Sequence, residues 1–253
     1  MKRSKITILL AIVLGMTFHS CLDLEPQDQL GGKNMWTSVN DYKQFANTFY
    51  SWTRDFSSVV YDGTHSDKRS DLITYQSYNE FSRGINSIPS SDANYTDNYK
   101  HIRRTNLLLQ NAEAYAKPED IKQYIGEAYF FRAYSYFDLL QLYGDVIITK
   151  KPLDITDPEM KVKRNDRSEV VDLIIDDLNH AVENLPAFKE LTTEEEGRIS
   201  KEGAQAFLSR VALYEGTWQK SRNGNQNTQR SAHLLDIAAK AARTVIDAKY
   251  GYN

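Results

Sequence analysis

From Tyr95 onward, apolar residues return at steps of three and four, and that period constrains the fold more than any other feature of the 253-residue chain. An α-helix turns once every 3.6 residues, so this spacing gathers apolar side chains on one face. Tyr95, Tyr99, Ile102, Asn106, Leu109 and Ala112 form one such stripe. The next helix opens at Pro118, which suits a first helical turn, with Glu119 and Asp120 where the dipole favours acids, and it stops at Gly144. Inside it, Gly126, Ala128 and Ala133 leave room for a close neighbour. Asp166 followed by Glu169 is a capping-box pattern. It opens a helix with Val170, Ile174, Leu178, Ala181 and Leu185 on one side, while Asp172, Asp176 and Asp177 read as a solvated face. Ser200 caps a helix through Gly216 that turns Phe207, Leu208, Val211 and Tyr214 inward, and an alanine-rich helix covers 228–248. An extended link at 146–154 interrupts the series, and a first helix over 38–52 precedes it.

Mostly short connections make successive helices antiparallel. One internal echo points to a repeat: Ala128-Tyr129-x-x-Arg132-x-x-x-Tyr136 returns 78 residues later as Ala206-Phe207-x-x-Arg210-x-x-x-Tyr214. That offset is close to two helical hairpins of tetratricopeptide size with enlarged loops. The expected fold is therefore all-α, tetratricopeptide-like stacked helical hairpins with long irregular loops. The longest loop, 53–93, holds Asp62-Gly63, Gly84, Pro89 and many serines without a sustained period. Such stretches in a compact domain are usually functional or disordered. Its Tyr61, Tyr75, Tyr78 and Phe81 have no helical face to explain them.

The amino-terminal segment follows another logic. Lys2, Arg3 and Lys5 precede an apolar run at 6–18, too short to span a bilayer comfortably, then Ser20 and the chain's single cysteine, Cys21. One cysteine excludes an internal disulfide and a cysteine-rich zinc site. Charge, apolar run, small residue and cysteine is the layout of a bacterial lipoprotein signal, in which cleavage before Cys21 leaves a sulfur and an amino group to carry acyl chains. An ordinary signal peptide and a buried core thiol are the alternatives. The expected organisation is a signal at 1–20, a polar tether at 21–37 with membrane attachment at Cys21, and a helical domain at 38–253. Loss of the three leader cations leaves 28 Lys and Arg against 34 acids, a net charge of −6, without a basic stripe for nucleic acid.

In the motif "GEAYFFRAYSYFDLLQLYGDVIITKKPLD" the chain resembles the SusD/RagB family of Bacteroidetes outer-membrane lipoproteins. Further blocks agree in order: "CLDLEPQDQ" with "MWTSVNDYKQFANTFY", "NYKHIRRTNLLL", "DRSEVVDLIIDDLNHAVENLP", "GRISKEGAQAFLSRVALYEGTW" and "AAKAARTVIDAKYGY". The resemblance implies a tetratricopeptide-like cell-surface lipoprotein of polysaccharide utilisation. Such a protein captures oligosaccharide and delivers it to a SusC-like TonB-dependent outer-membrane transporter, without catalysis, cofactor or metal. It also implies that this chain is the amino-terminal half of a longer design, truncated relative to the family.

Sugar capture needs flat aromatic faces against C–H surfaces, with amides and carboxylates for hydroxyls. The loop supplies Tyr75 and Tyr78 with Asn79, then Trp52 and Tyr61, as candidate ligand contacts; packing of the same rings against the helices is the competing reading. Arg132 and Arg210 read as partners of buried carboxylates or loop carbonyls, or else as ligand cations. No HExxH, GxSxG or phosphate-loop pattern is present. Two other functions stay open on sequence: a helical-repeat surface lipoprotein that binds peptide or protein, and a lipid-anchored glycoside hydrolase, which requires two carboxylates about the scissile bond.

Overall fold

The structure, a computed structural model, describes residues 35–54, 80, 83–154, 156–222 and 228–248. The chain divides into two units, residues 1–35 and 36–253, and the fold set out here is that of the second. Cys21, with all of 1–34, and the loop stretch 55–79 lie outside the described residues.

Among the described residues there are six α-helices and no strand. They are α1 (Val39–Asn47), α2 (Ala93–Glu113), α3 (Lys122–Tyr143), α4 (Arg167–Asn184), α5 (Lys201–Arg222) and α6 (Thr228–Asp247). The expected helix over 38–52 is α1 followed by a 3-10 turn at Thr48–Trp52, and a second 3-10 turn at Pro118–Ile121 leads into α3. Local chemistry sets the starts. Ser38 Oγ accepts from the Asp41 amide and Asp41 Oδ2 accepts from the Ser38 amide, closing a capping box at α1. Trp36, held at φ 80°, lays its ring on Tyr42 and Phe45 across that start. Asp166 and Glu169 form the anticipated box at α4, and Ser200 Oγ accepts from the Gly203 amide at α5. α3 stops at Gly144, whose φ of 73° suits a residue without a Cβ.

Pairings between named residues fix the topology. Across α3 and α4, Arg132 meets Asp177 and Tyr129 meets His180; as one number rises the other falls, so the two helices are antiparallel. Across α5 and α6, Ser209 donates to the Ala238 carbonyl and Ser231 to the Gly216 carbonyl, with the same sense. α3 and α5 run parallel instead: Phe130 packs on Phe207 and Phe137 on Tyr214, and both pairs are 77 residues apart. Two antiparallel hairpins therefore stack with their first helices side by side, at an offset one residue from that of the sequence echo. α3 is buried nearly all round, from Phe130 and Phe131 through Tyr136 to Leu140, because α1, α2, α4 and α5 surround it.

Three carboxylates, on Glu127, Asp177 and Glu215, are fully buried, and each is met by an arginine from another element. Arg132 grips Asp177 through Nε at 2.8 Å and Nη2 at 2.6 Å. Arg198 grips Glu127 at 2.8 and 2.7 Å, and Arg167 grips Glu215. Burial pushes the Asp177 and Glu127 carboxyls upward, and the guanidiniums against them oppose that shift. Asp177 is thus not part of a solvated face. It sits three and four residues from Ile174, Leu173 and Ala181, on the buried side of α4, whereas Asp172 and Asp176 are exposed as expected. Nor does α5 stop at Gly216. It continues to Arg222, because the missing side chain admits α6: a Cβ on Gly216 would meet Leu235 at 3.0 Å.

The link after Gly144 is extended, as expected, and is fastened by side chains rather than by a partner strand. Its one bridge joins Val146 to Asn165. Tyr99 Oη accepts from the Ile147 amide and donates to the Ile147 carbonyl. Tyr136 Oη accepts from the Thr149 amide at 2.7 Å. Asn106 Nδ2 donates to the carbonyls of Thr149 and Lys151, while its Oδ1 accepts from Arg132. The chain Asp177–Arg132–Asn106–link ties four elements together through one buried arginine.

Candidate functional site

A trough opens where the 3-10 turn after α1 ends, beside α2, α3 and α5. Its part against α2 has a volume of about 180 Å³ and its part against α5 about 320 Å³. Arg54, Tyr134 and Asp138 line both parts. Helical spacing builds the walls: Asn94, Asp97, Asn98 and His101 come from one stripe of α2, Tyr134, Phe137, Asp138 and Gln141 from α3, and Phe207 and Arg210 from α5.

Rings and polar groups alternate along it. Trp52 stacks on His101 with centroids 4.1 Å apart and planes within 13°, and its indole also meets Phe49 and Phe131. Tyr134 and Phe207 lie 5.7 Å apart at 32°, both half-buried. Arg54 pairs with Asp138 Oδ1, and Asn98 Nδ2 donates to Asp138 Oδ2 at 2.8 Å. Asp97 holds Lys100 at 2.8 Å. Burial pulls the His101 imidazole down to about 4, against the opposing pull of Asp97, so the ring facing Trp52 is neutral at neutral pH. No cluster of three or more His, Cys, Asp or Glu side chains able to hold a metal occurs among the described residues.

Partly exposed aromatic faces beside carboxylate, amide and guanidinium groups suit a polyhydroxylated ligand: rings take C–H surfaces, and the polar groups take hydroxyls. A separate cleft, about 470 Å³, lies on another side of α2 between Tyr95, Tyr99, Ile147, Leu153 and Met160. Its cations are already engaged, Lys151 with Glu159, Lys100 with Asp97 and Arg103 with the Leu153 carbonyl, and its walls are mostly apolar. The trough suits a polyhydroxylated ligand better than this cleft does.

Of the residues singled out from sequence, the structure brings Trp52 into the trough wall. Tyr61, Tyr75, Tyr78 and Asn79 lie outside the described residues. Arg132 is bound to a carboxylate, one of its two expected roles. Arg210 departs from its preferred reading: it is exposed and has no carboxylate partner among the described residues. Sequence reasoning missed Tyr134, Asp138, Asn98 and Arg54. For Asp138 the available signal was its place with Gln141, one turn apart, near the end of a helix rich in apolar residues.

The fold is thus one of stacked helical hairpins with a polar and aromatic trough between them. The comparisons make the assignment specific: the chain belongs to the SusD-like family described as starch-binding associating with outer membrane, whose model matches residues 22–213. SusD-like protein P38 of Formosa agariphila is 28% identical over 233 residues, covering 84% of this chain and 42% of that protein. A crystal structure of a SusD-like protein from Bacteroides fragilis superposes with a TM-score of 0.68 at 24% identity, over 90% of this chain and 42% of that one. A laminarin-binding SusD-like protein is 29% identical with a TM-score of 0.50, over 63% of this chain and 32% of its own. The chain spans less than half the length of the curated relatives P38 and P2. No helix among the described residues is long and apolar enough to cross a membrane.

Proposed function

We propose that this chain captures oligosaccharide at the cell surface and passes it to a SusC-like TonB-dependent transporter, altering no bond in the cargo. The observation that carries the reading is the trough, in which the half-buried rings of Tyr134 and Phe207 stand beside Asp138, Asn98 and Gln141. Family membership and the laminarin-binding relative support a glycan as the ligand. In this reading residues 1–20 are a lipoprotein signal, Cys21 carries the acyl chains, 21–37 is a tether and 38–253 is the helical domain. Tyr61, Tyr75, Tyr78 and Asn79 add sugar contacts from the loop, beside Trp52.

Gel retardation of the full chain in polysaccharide tests it. Laminarin, polygalacturonate and carrageenan form the panel. At least one is expected to retard the protein, and Tyr134→Ala is expected to abolish that retardation with the helical circular dichroism intact. Retardation unchanged by Tyr134→Ala places the sugar elsewhere. Reducing ends released from the retained polysaccharide make the protein a hydrolase.

A further inference from the structure

Several arginines among the described residues meet a carboxylate from another element. Arg132 has Asp177, Arg198 has Glu127, Arg167 has Glu215, Arg54 has Asp138 and Arg230 has Asp172. Arg210, which is exposed, meets none among the described residues. It is the repeat counterpart of Arg132, three residues after Phe207, yet no ion pair or hydrogen bond engages its guanidinium among the described residues. The acids of α6, the helix that follows it, are spent on their own surface, Asp236 on Lys240 and Asp247 on Arg243. The Arg210 charge lines the trough near Arg54, whose guanidinium is depressed first by burial, against the opposing effect of Tyr134, with Arg210 adding a smaller depression.

The trough is consequently polarised. Its α2 end is lined by the acids Asp97 and Asp138 and the amides Asn94 and Asn98. Among the described residues its α5 end is lined by two guanidiniums, Arg54 and Arg210, and one carboxylate, Asp138. A neutral sugar leaves that excess charge in place. An anionic substituent cancels it, and a planar guanidinium matches carboxylate or sulfate oxygens two at a time.

We infer that the α5 end of the trough selects glycans bearing an anionic group, a carboxylate or a sulfate ester, which docks on Arg210 while its ring lies against Tyr134 and Phe207. The inference rests on the reading of the trough as the sugar site. The ring pair and the charge are thus separate determinants, one for sugar as such and one for its substituent.

Titration calorimetry of the full chain tests it with polygalacturonate for the carboxylate, carrageenan for the sulfate and laminarin as the neutral probe. One anionic polysaccharide is expected to bind more tightly than laminarin, and which one identifies the group. Arg210→Gln is expected to weaken that binding about tenfold, to reduce laminarin binding far less, and to remove most of the salt dependence. Arg210→Lys, which keeps the charge, is expected to restore part of the anionic preference. Laminarin binding tightest of the three, or Arg210→Gln weakening neutral and anionic probes equally, overturns the inference. Tyr134→Ala separates the two failures. If it abolishes binding while Arg210→Gln shows no selectivity for charge, the sugar site stands and the anionic preference falls. If Tyr134→Ala leaves every probe bound as before, the site itself is wrong and the inference falls with it.

Discussion

Asp177 is a single carboxylate on which three neighbouring elements depend. Fully buried and gripped twice by Arg132, it holds that arginine where Asn106 can be reached, and Asn106 in turn holds two carbonyls of the link. Removing one partner of a buried ion pair leaves the other charge uncompensated. Asp177→Asn is expected to cost about 3–5 kcal/mol, read from urea denaturation. Joint replacement by Arg132→Met and Asp177→Leu should recover much of the loss in helix packing, yet leave Asn106 without its donor. Part of this was legible in the chain. An arginine amid apolar neighbours in a helix demands a carboxylate or carbonyls, and Arg132 has both, directly and through Asn106. The partner was hidden because Asp177 stands beside Asp172 and Asp176, and three acids in six residues look like a wet face until their helical angles are compared. The same reasoning misplaced Arg210. Equivalence in a repeat gives position on a helix, but a counter-ion depends on the neighbour, and α6 offers none.

At the scale of the elements, small residues decide how closely the helices of a hairpin approach. A Cβ on Gly126 would sit 2.9 Å from Leu185 Cγ, and one on Gly216 would sit 3.0 Å from the Leu235 side chain. Gly216→Ala raises intrinsic helix propensity by nearly 1 kcal/mol, so propensity alone forecasts a more stable protein. Packing forecasts the reverse. Overpacking of about 1–3 kcal/mol outweighs the gain, and a lower melting temperature is expected. Leu235→Ala in the same chain should relieve the contact, giving a double-mutant loss smaller than the sum of the two. The glycine explains one error of sequence reading. Gly216 resembles a helix stop, as Gly144 is, but nothing local distinguishes a glycine that ends a helix from one that makes room for the next. The starts of α1, α4 and α5 were readable because their caps act within four residues. The trough was not, since its walls are stripes of three helices and a side chain's membership depends on which faces the neighbours leave open.

At the scale of the whole molecule, the stacking of parallel first helices on an offset near 78 residues turns a local motif into an architecture, and the echo in the chain carried that information. What a repeat scaffold holds is set by the surface it leaves uncovered, which the echo does not encode. The proposed anchor acts on the molecule as a unit. Cys21→Ala is expected to shift the protein from the membrane fraction to the soluble fraction after a salt wash, with its melting temperature unchanged; retention on membranes removes the acyl anchor from the proposal. One last property follows from the way the link is fastened. The amides of Ile147, Ile148 and Thr149 are held by Tyr99, Asn165 and Tyr136, side chains rooted in rigid helices or in the turn ahead of α4. In deuterated solvent these three protons should persist beside those of the helical core, an island of slow exchange in a segment that belongs to no helix and no sheet.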